Sequence, residues 1–264
     1  MPLHALLSPG GSPGVTTAAI ALAFTWPGPV ILAECDPSGS DVIPGMFGGL
    51  LQARAALRAV AVEADRGPDA VAAAVADQLV SLADADIARF LLPGITDPRQ
   101  AAELAPAWPV LAPVLAAQPS DVIADCGRLD LSEAWPAPVL ACAATVTIVL
   151  RPSFRQVARA RPRIGMAAQL SGAERLRLLA TGRGRYSLKE LSSGLSVPTV
   201  GSLPYDPRSA ATLTESDGAG SYRRRPARPL MRAAAATATA LRDLAALHVP
   251  PQGAPRTARA EARQ

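Results

Sequence analysis

Along most of the chain, short continuous apolar runs alternate with longer stretches in which apolar residues recur every three or four positions. The runs at 3–7, 30–34, 60–63, 90–92, 122–125, 146–150, 176–180 and 199–203 predict strands. The patterns at 16–24, 69–82, 99–115, 154–169 and 188–195 predict helices. Apolar strands separated by helices imply a parallel sheet with both faces covered. The expected fold class is α/β: a doubly wound, mostly parallel sheet of about seven or eight strands with helices on both faces. Ligands of such sheets bind beyond the carboxyl ends of the strands. A last helix at 229–247 carries Leu230, Ala234, Leu241, Leu244 and Leu247 on roughly one face, and Pro250 and Pro251 stop it.

Composition narrows this picture. The chain has 264 residues, 49% hydrophobic and 18% charged, which is enough for a sizeable core and excludes global disorder. Aromatics are 4%, so the core is mostly Ala, Leu and Val. Residues 1–249 are expected to form one domain, and the basic, Pro- and Arg-rich stretch 250–264 a disordered tail. Residues 216–229, with Gly, Ser and the run Arg223, Arg224 and Arg225, form a second weak spot. The net charge of +4 is too modest to indicate nucleic acid by itself. Cys35, Cys126 and Cys142 lack CxxC spacing, and two histidines are too few for an obvious zinc site. Buried thiols in a reducing compartment fit better. No apolar run is long enough to span a bilayer and no signal-peptide pattern is evident, so the expected location is the cytoplasm, without membrane insertion.

The chemistry concentrates where strands end. Strand 3–7 runs into Ser8-Pro9-Gly10-Gly11-Ser12-Pro13-Gly14-Val15-Thr16-Thr17, a Gly-rich turn leading into a helix. Such a loop can cradle phosphate with backbone N–H groups and a helix N-terminus. Strand 30–34 ends in Glu34-Cys35-Asp36-Pro37, strand 122–125 in Asp125-Cys126-Gly127, and strand 199–203 in Pro204-Tyr205-Asp206-Pro207. Each has a plainer reading alone: Thr16 and Thr17 as a helix cap, Asp36-Pro37 as a turn, Asp125 as a cap or turn residue.

Taken in order, the four motifs resemble the ParA/MinD family of deviant Walker A ATPases, across about residues 1–247. The resemblance implies a P-loop NTPase-like fold, ATP and Mg2+ as cofactors, and a nucleotide site at residues Gly11, Ser12, Gly14, Val15, Thr16 and Thr17. It implies Pro204 and Asp206 near the base, Asp36 orienting the attacking water, and Thr16, Asp36 and Asp125 around the metal. Oxygen ligands of this kind suit a hard divalent cation. The family's two loop lysines are absent. The signature lysine aligns with Gly10 and the Walker lysine with Val15, while Lys189 is the only lysine in the chain. Pro13 also removes an N–H donor from the loop. Arg128, Arg151 and Arg183 follow strand ends and are candidate substitutes.

Three functions follow as expectations. The first is a positioning or assembly factor, for chromosome or plasmid partition, septum placement, or pilus or secretion assembly, with slow or absent ATP hydrolysis. The second is a pseudo-ATPase interaction scaffold with no physiological nucleotide. The third is an active ATPase in which an arginine replaces the P-loop lysine. The resemblance further implies a protein partner, a homodimer, and non-specific DNA binding through Arg223, Arg224 and Arg225.

Overall fold

A computed structural model describes residues 1–40, 42–47, 56–82, 87–130, 132–215 and 228–248. Its centre is a sheet of eight strands: β1 (Leu3–Ser8), β2 (Val30–Glu34), β3 (Val80–Ser81), β4 (Arg89–Leu92), β5 (Asp121–Arg128), β6 (Thr145–Leu150), β7 (Leu176–Thr181) and β8 (Thr199–Leu203). They lie in the order β3-β4-β2-β5-β1-β6-β7-β8. Every pairing is parallel except that of the two-residue edge strand β3 with β4. The chain leaves β1 toward β2 and later crosses back to β6 on the other side. The carboxyl end of β1 is therefore the switch point where such sheets open a crevice.

Period-two alternation sorts the core into two layers. On β1, Leu3, Ala5 and Leu7 join one apolar cluster and Leu6 joins the other. The first cluster is covered by α3 (Ala56–Val62), α4 (Pro68–Gln78), α6 (Trp108–Ala116), α7 (Ala137–Cys142), α8 (Phe154–Ser171) and α9 (Leu188–Leu195). The second is covered by α1 (Val15–Thr25), α2 (Val42–Met46), α10 (Pro207–Thr214) and α11 (Pro229–His248). Six of the eight residues of α1 from Ala18 onward are Ala, Ile or Leu buried at 1% exposure or less, which brings this helix close to the sheet. Among the described residues, no helix is long and apolar enough to cross a membrane.

Three local expectations are corrected. Residues 60–63, expected as a strand, are the end of helix α3, at Val62, and the turn after it: Leu57 and Val60, three apart, are buried, whereas Val62 is 71% exposed. That is helical spacing, masked in sequence by the shortness of the run. The helix expected at 69–82 stops at Gln78, and Val80–Ser81 turns back as β3. The single helix expected at 99–115 is a 3-10 turn at 98–100, a short α5 (Ala101–Leu104) and then α6. Pro106 and Pro109 lie at the break, where the ring removes a donor and crowds the preceding turn. The run Arg223, Arg224 and Arg225 and the tail 250–264 lie outside the described residues.

Candidate functional site

The loop at 8–14 joins β1 to α1 at the switch point. Gly14 is the residue before the helix and adopts φ 94°, a left-handed conformation that an L side chain resists. Its carbonyl accepts the first helical hydrogen bond, from Ala18 N at 2.9 Å. Remote elements hold the loop. Gln156 of α8 donates from Nε2 to the Gly10 carbonyl at 2.9 Å, and Thr181 of β7 donates from Oγ1 to the Pro13 carbonyl at 2.8 Å. The Arg159 guanidinium lies over Gly10, about 3.2 Å from where a Cβ would stand. Gln156 Oε1 is buried beside the loop without a hydrogen-bond partner.

Two contiguous clefts border the start of α1. The larger, about 440 Å³, is lined by Ser8, residues 11–17, Asp36, Ser38, Gly127 and Arg128. Thr16 and Asp36 thus face one space. The smaller, about 150 Å³, is lined by Pro13, Gly14, Thr17, Arg151, Thr181, Gly182, Pro204, Tyr205 and Asp206, among others. Pro13, Gly14 and Thr17 belong to both. Gly11, Ser12 and Val15 line only the larger cleft, Pro204 and Asp206 only the smaller. Arg183 lines neither.

The acidic residues occupy different depths. Asp36 accepts a hydrogen bond from Ser38 N on Oδ1 at 2.8 Å and stands at the cleft. Asp125 is buried behind it, 3% exposed, with Oδ1 accepting from Gly127 N at 3.0 Å. It does not line either cleft. Gly127, at φ 61°, separates the two carboxylates, and its missing side chain is the space Asp36 fills. Glu34, opposite Asp125 in the β2–β5 register, is also buried. Its Oε2 accepts from Ser40 Oγ at 2.5 Å and from Gly94 N at 3.3 Å. Burial pushes the Glu34 carboxyl up to about 7, with Asp125 adding to the rise and these hydrogen bonds opposing it. Cys35 and Cys126 are buried thiols, raised by the same desolvation and inert as nucleophiles. Asp206 caps α10, accepting from Ser209 N at 3.0 Å and Ser209 Oγ at 2.6 Å, and the Ser209 hydroxyl lowers its carboxyl below the usual range.

The site partly suits a nucleotide with a hydrated divalent cation. The Gly loop and the start of α1 offer backbone donors to phosphate, and the Thr16 hydroxyl and Asp36 carboxylate share the cleft. Val15, where a lysine would stand, is 6% exposed and packs into the core beneath α1. Among the described residues, no group of three or more His, Cys, Asp or Glu side chains is placed to hold a metal ion. Sequence reasoning did not find Glu34, Gln156, Arg159 or Thr181. Gln156 lies 146 positions from Gly10, and no local pattern marks it as a loop partner.

An eight-stranded, mostly parallel sheet with a glycine loop at its switch point matches the P-loop NTPase fold. Within that class the chain has the fold of the MinD and ParA ATPases. A ParA family ATPase from Chlorobium tepidum superposes with TM-score 0.70 at 14% identity, over 90% of this chain and 97% of that one. The cell division ATPase MinD of Pyrococcus furiosus gives 0.68 at 16% identity, over 92% and 99%. The septum site-determining protein MinD of Pyrococcus horikoshii, complexed with Mg-ADP, gives 0.65 at 16%, over 94% and 98%. No family model and no curated protein sequence matches the chain.

Proposed function

We propose that this chain is a nucleotide-site protein of the MinD/ParA kind, acting in the cytoplasm as a positioning or assembly factor with slow or absent ATP hydrolysis. The observation that carries the reading is the pairing of a preserved cradle with an absent cation. Thr16, Asp36 and the Gly loop share one cleft, while Val15 is buried in the core. Phosphoryl transfer depends on positioning and on charge stabilisation, and losing one loop cation costs on the order of 10³-fold or more. Binding needs less, because backbone N–H groups and the helix terminus still attract anions. The structural neighbours support such a role, since two are MinD proteins of cell division or septum-site determination and one of those holds Mg-ADP. In this reading ATP and Mg2+ occupy the larger cleft, with Thr16 and Asp36 nearest the metal and Asp125 behind them. Pro204 and Asp206 border the base. The factor works through a protein partner, with homodimer formation and DNA contact through Arg223, Arg224 and Arg225 as further expectations.

The second reading, a scaffold without nucleotide, draws support from Pro13 and the buried Val15 together. Calorimetric titration with ATP, with and without Mg2+, separates the two. Micromolar, magnesium-dependent binding supports the nucleotide site, and no heat at millimolar ATP supports the scaffold. Phosphate release then separates a slow factor from an active ATPase: turnover close to that of a lysine-bearing relative would overturn slow hydrolysis.

A further inference from the structure

We infer that Arg128 supplies the phosphate-binding cation that the loop lacks, contacting the terminal phosphate of a bound nucleoside triphosphate. This rests on the nucleotide reading above and names the residue that makes it work.

The argument starts from strand geometry. In the pairing of β1 with β5, Leu6 stands opposite Asp125, but Ser8 stands opposite Arg128. Two steps along β1 match three along β5, so β5 carries one extra residue at this point. Such a bulge bends its strand and re-aims the side chains beyond it, commonly next to sites. Gly127, at φ 61°, provides the left-handed turn within the irregularity. The Leu129 N–H then bonds the Ser8 carbonyl at 2.9 Å and pins the strand end to the first residue of the loop. Without the extra residue, side-chain alternation would send position 128 to the other face.

The consequence is that Arg128 lines the larger cleft with the loop, Thr16, Asp36 and Ser38. Among the described residues, it is the one basic residue lining this cleft. Its side chain is exposed, and it makes no hydrogen bond or ion pair with the described residues. Arginine is well matched to the task, because its planar fork binds phosphate oxygens bidentately and stays charged at all working pH values. Its companions separate by position. Arg151 lines the smaller cleft, on the side of Pro204 and Tyr205, and Arg183 lines neither. Arg128 shares its cleft with the carboxylate and hydroxyl placed nearest the metal. That puts it toward the distal phosphates.

The test is a titration of the full chain with ATP, ADP and AMP in Mg2+, read by calorimetry, for the unaltered protein and for Arg128→Ala, Arg128→Gln, Arg128→Lys and Arg183→Ala. Thermal melts report folding in parallel. Arg128→Ala and Arg128→Gln should weaken ATP binding about tenfold or more. Their effect should shrink for ADP and nearly vanish for AMP. Arg128→Lys should recover most of the loss, and Arg183→Ala should stay within about twofold of the unaltered chain. ATP binding unchanged in folded Arg128→Ala or Arg128→Gln overturns this assignment and leaves the nucleotide reading standing. An equal loss for all three nucleotides, or an equal loss in Arg183→Ala, overturns it as well. No binding by the unaltered protein overturns the assignment and the nucleotide reading together.

Discussion

The carboxylate of Asp36 lies directly against the Cα of Gly127, in the space a side chain at 127 would take. Two strand ends from distant parts of the sequence thereby lock together under the candidate phosphate cleft. Gly127→Ala would have to shift Asp36 and place an L residue at φ 61°. Residues strained in this region cost roughly 1–3 kcal/mol. The expected outcome is a loss of stability of that size in urea unfolding, accompanied by weaker Mg2+ dependence of nucleotide binding. Unchanged stability would show that Asp36 swings away freely.

His4 gives a pH signature at the opposite end of β1. Its ring is fully buried, with Nδ1 2.8 Å from Thr145 Oγ1 and the ring edge-on to Trp26 at 4.8 Å. Trp26 in turn donates to Asp121 Oδ2 at 2.8 Å, which Arg242 also approaches at 3.3 Å. Burial lowers the His4 pKa from 6.5 to about 3. The folded state therefore resists a proton that the unfolded state accepts. Its contribution to stability is complete above pH 6.5 and is lost as pH falls toward 3, by up to about 1.4 kcal/mol per pH unit. His4→Gln removes this term. The stability gap between the native chain and the variant should narrow by roughly 2–3 kcal/mol between pH 6.5 and 4.5 in urea titrations. A gap independent of pH would refute the assignment.

Val15→Lys restores the missing cation. The substituted side chain starts from a position 6% exposed, but its long stem can run along apolar surface and bring the ammonium into the cleft that Val15 lines. Nucleotide affinity should rise about tenfold, with a melting temperature a few degrees lower from lost core packing. Equal affinity in the variant would show that a cation at position 15 adds nothing, because Pro13 or another departure closes the cradle or because Arg128 already supplies the charge.

Nucleotide-driven dimerisation should be weak. In the ParA/MinD family that the chain resembles, the signature lysine reaches the partner's phosphates; its position here is Gly10, and the Arg159 side chain of α8 lies over it. Light scattering should give the same mass with and without ATP and Mg2+. A stable dimer would need roughly 1,200 Å² or more of buried surface, supplied by apolar contact independent of nucleotide. A clean ATP-dependent shift from monomer to dimer would overturn this and favour the arginine-based ATPase.

Much of this protein is legible one segment at a time. Seven of the eight expected strands lie in the sheet; the central ones β1, β2 and β6 are apolar-rich runs buried on both faces, while β8 at the edge is only partly buried. The two-residue β3 was invisible, since it depends on pairing with β4 rather than on its own pattern. Residues 60–63 misled because four residues cannot separate a period of 2 from one of 3.6. The Gly loop, Asp36, Asp125, Pro204 and Asp206 announce themselves as polar punctuation at strand ends, where backbone geometry makes local demands on residue type. The depth of each group was decided only in three dimensions. Asp125 reads as the equal of Asp36 along the chain, yet it is buried, as is Glu34 opposite it, while Asp36 meets the cleft. Arg128, Arg151 and Arg183 were equivalent as sequence. A one-residue bulge in β5 brings Arg128 to the larger cleft, Arg151 lines the smaller one, and Arg183 lines neither. The sequence of this chain determines most of its strands, its loop and the absence of the two loop lysines, because those depend on near neighbours. Which arginine faces the larger cleft depends on register between strands more than a hundred residues apart, and only the folded sheet sets that register.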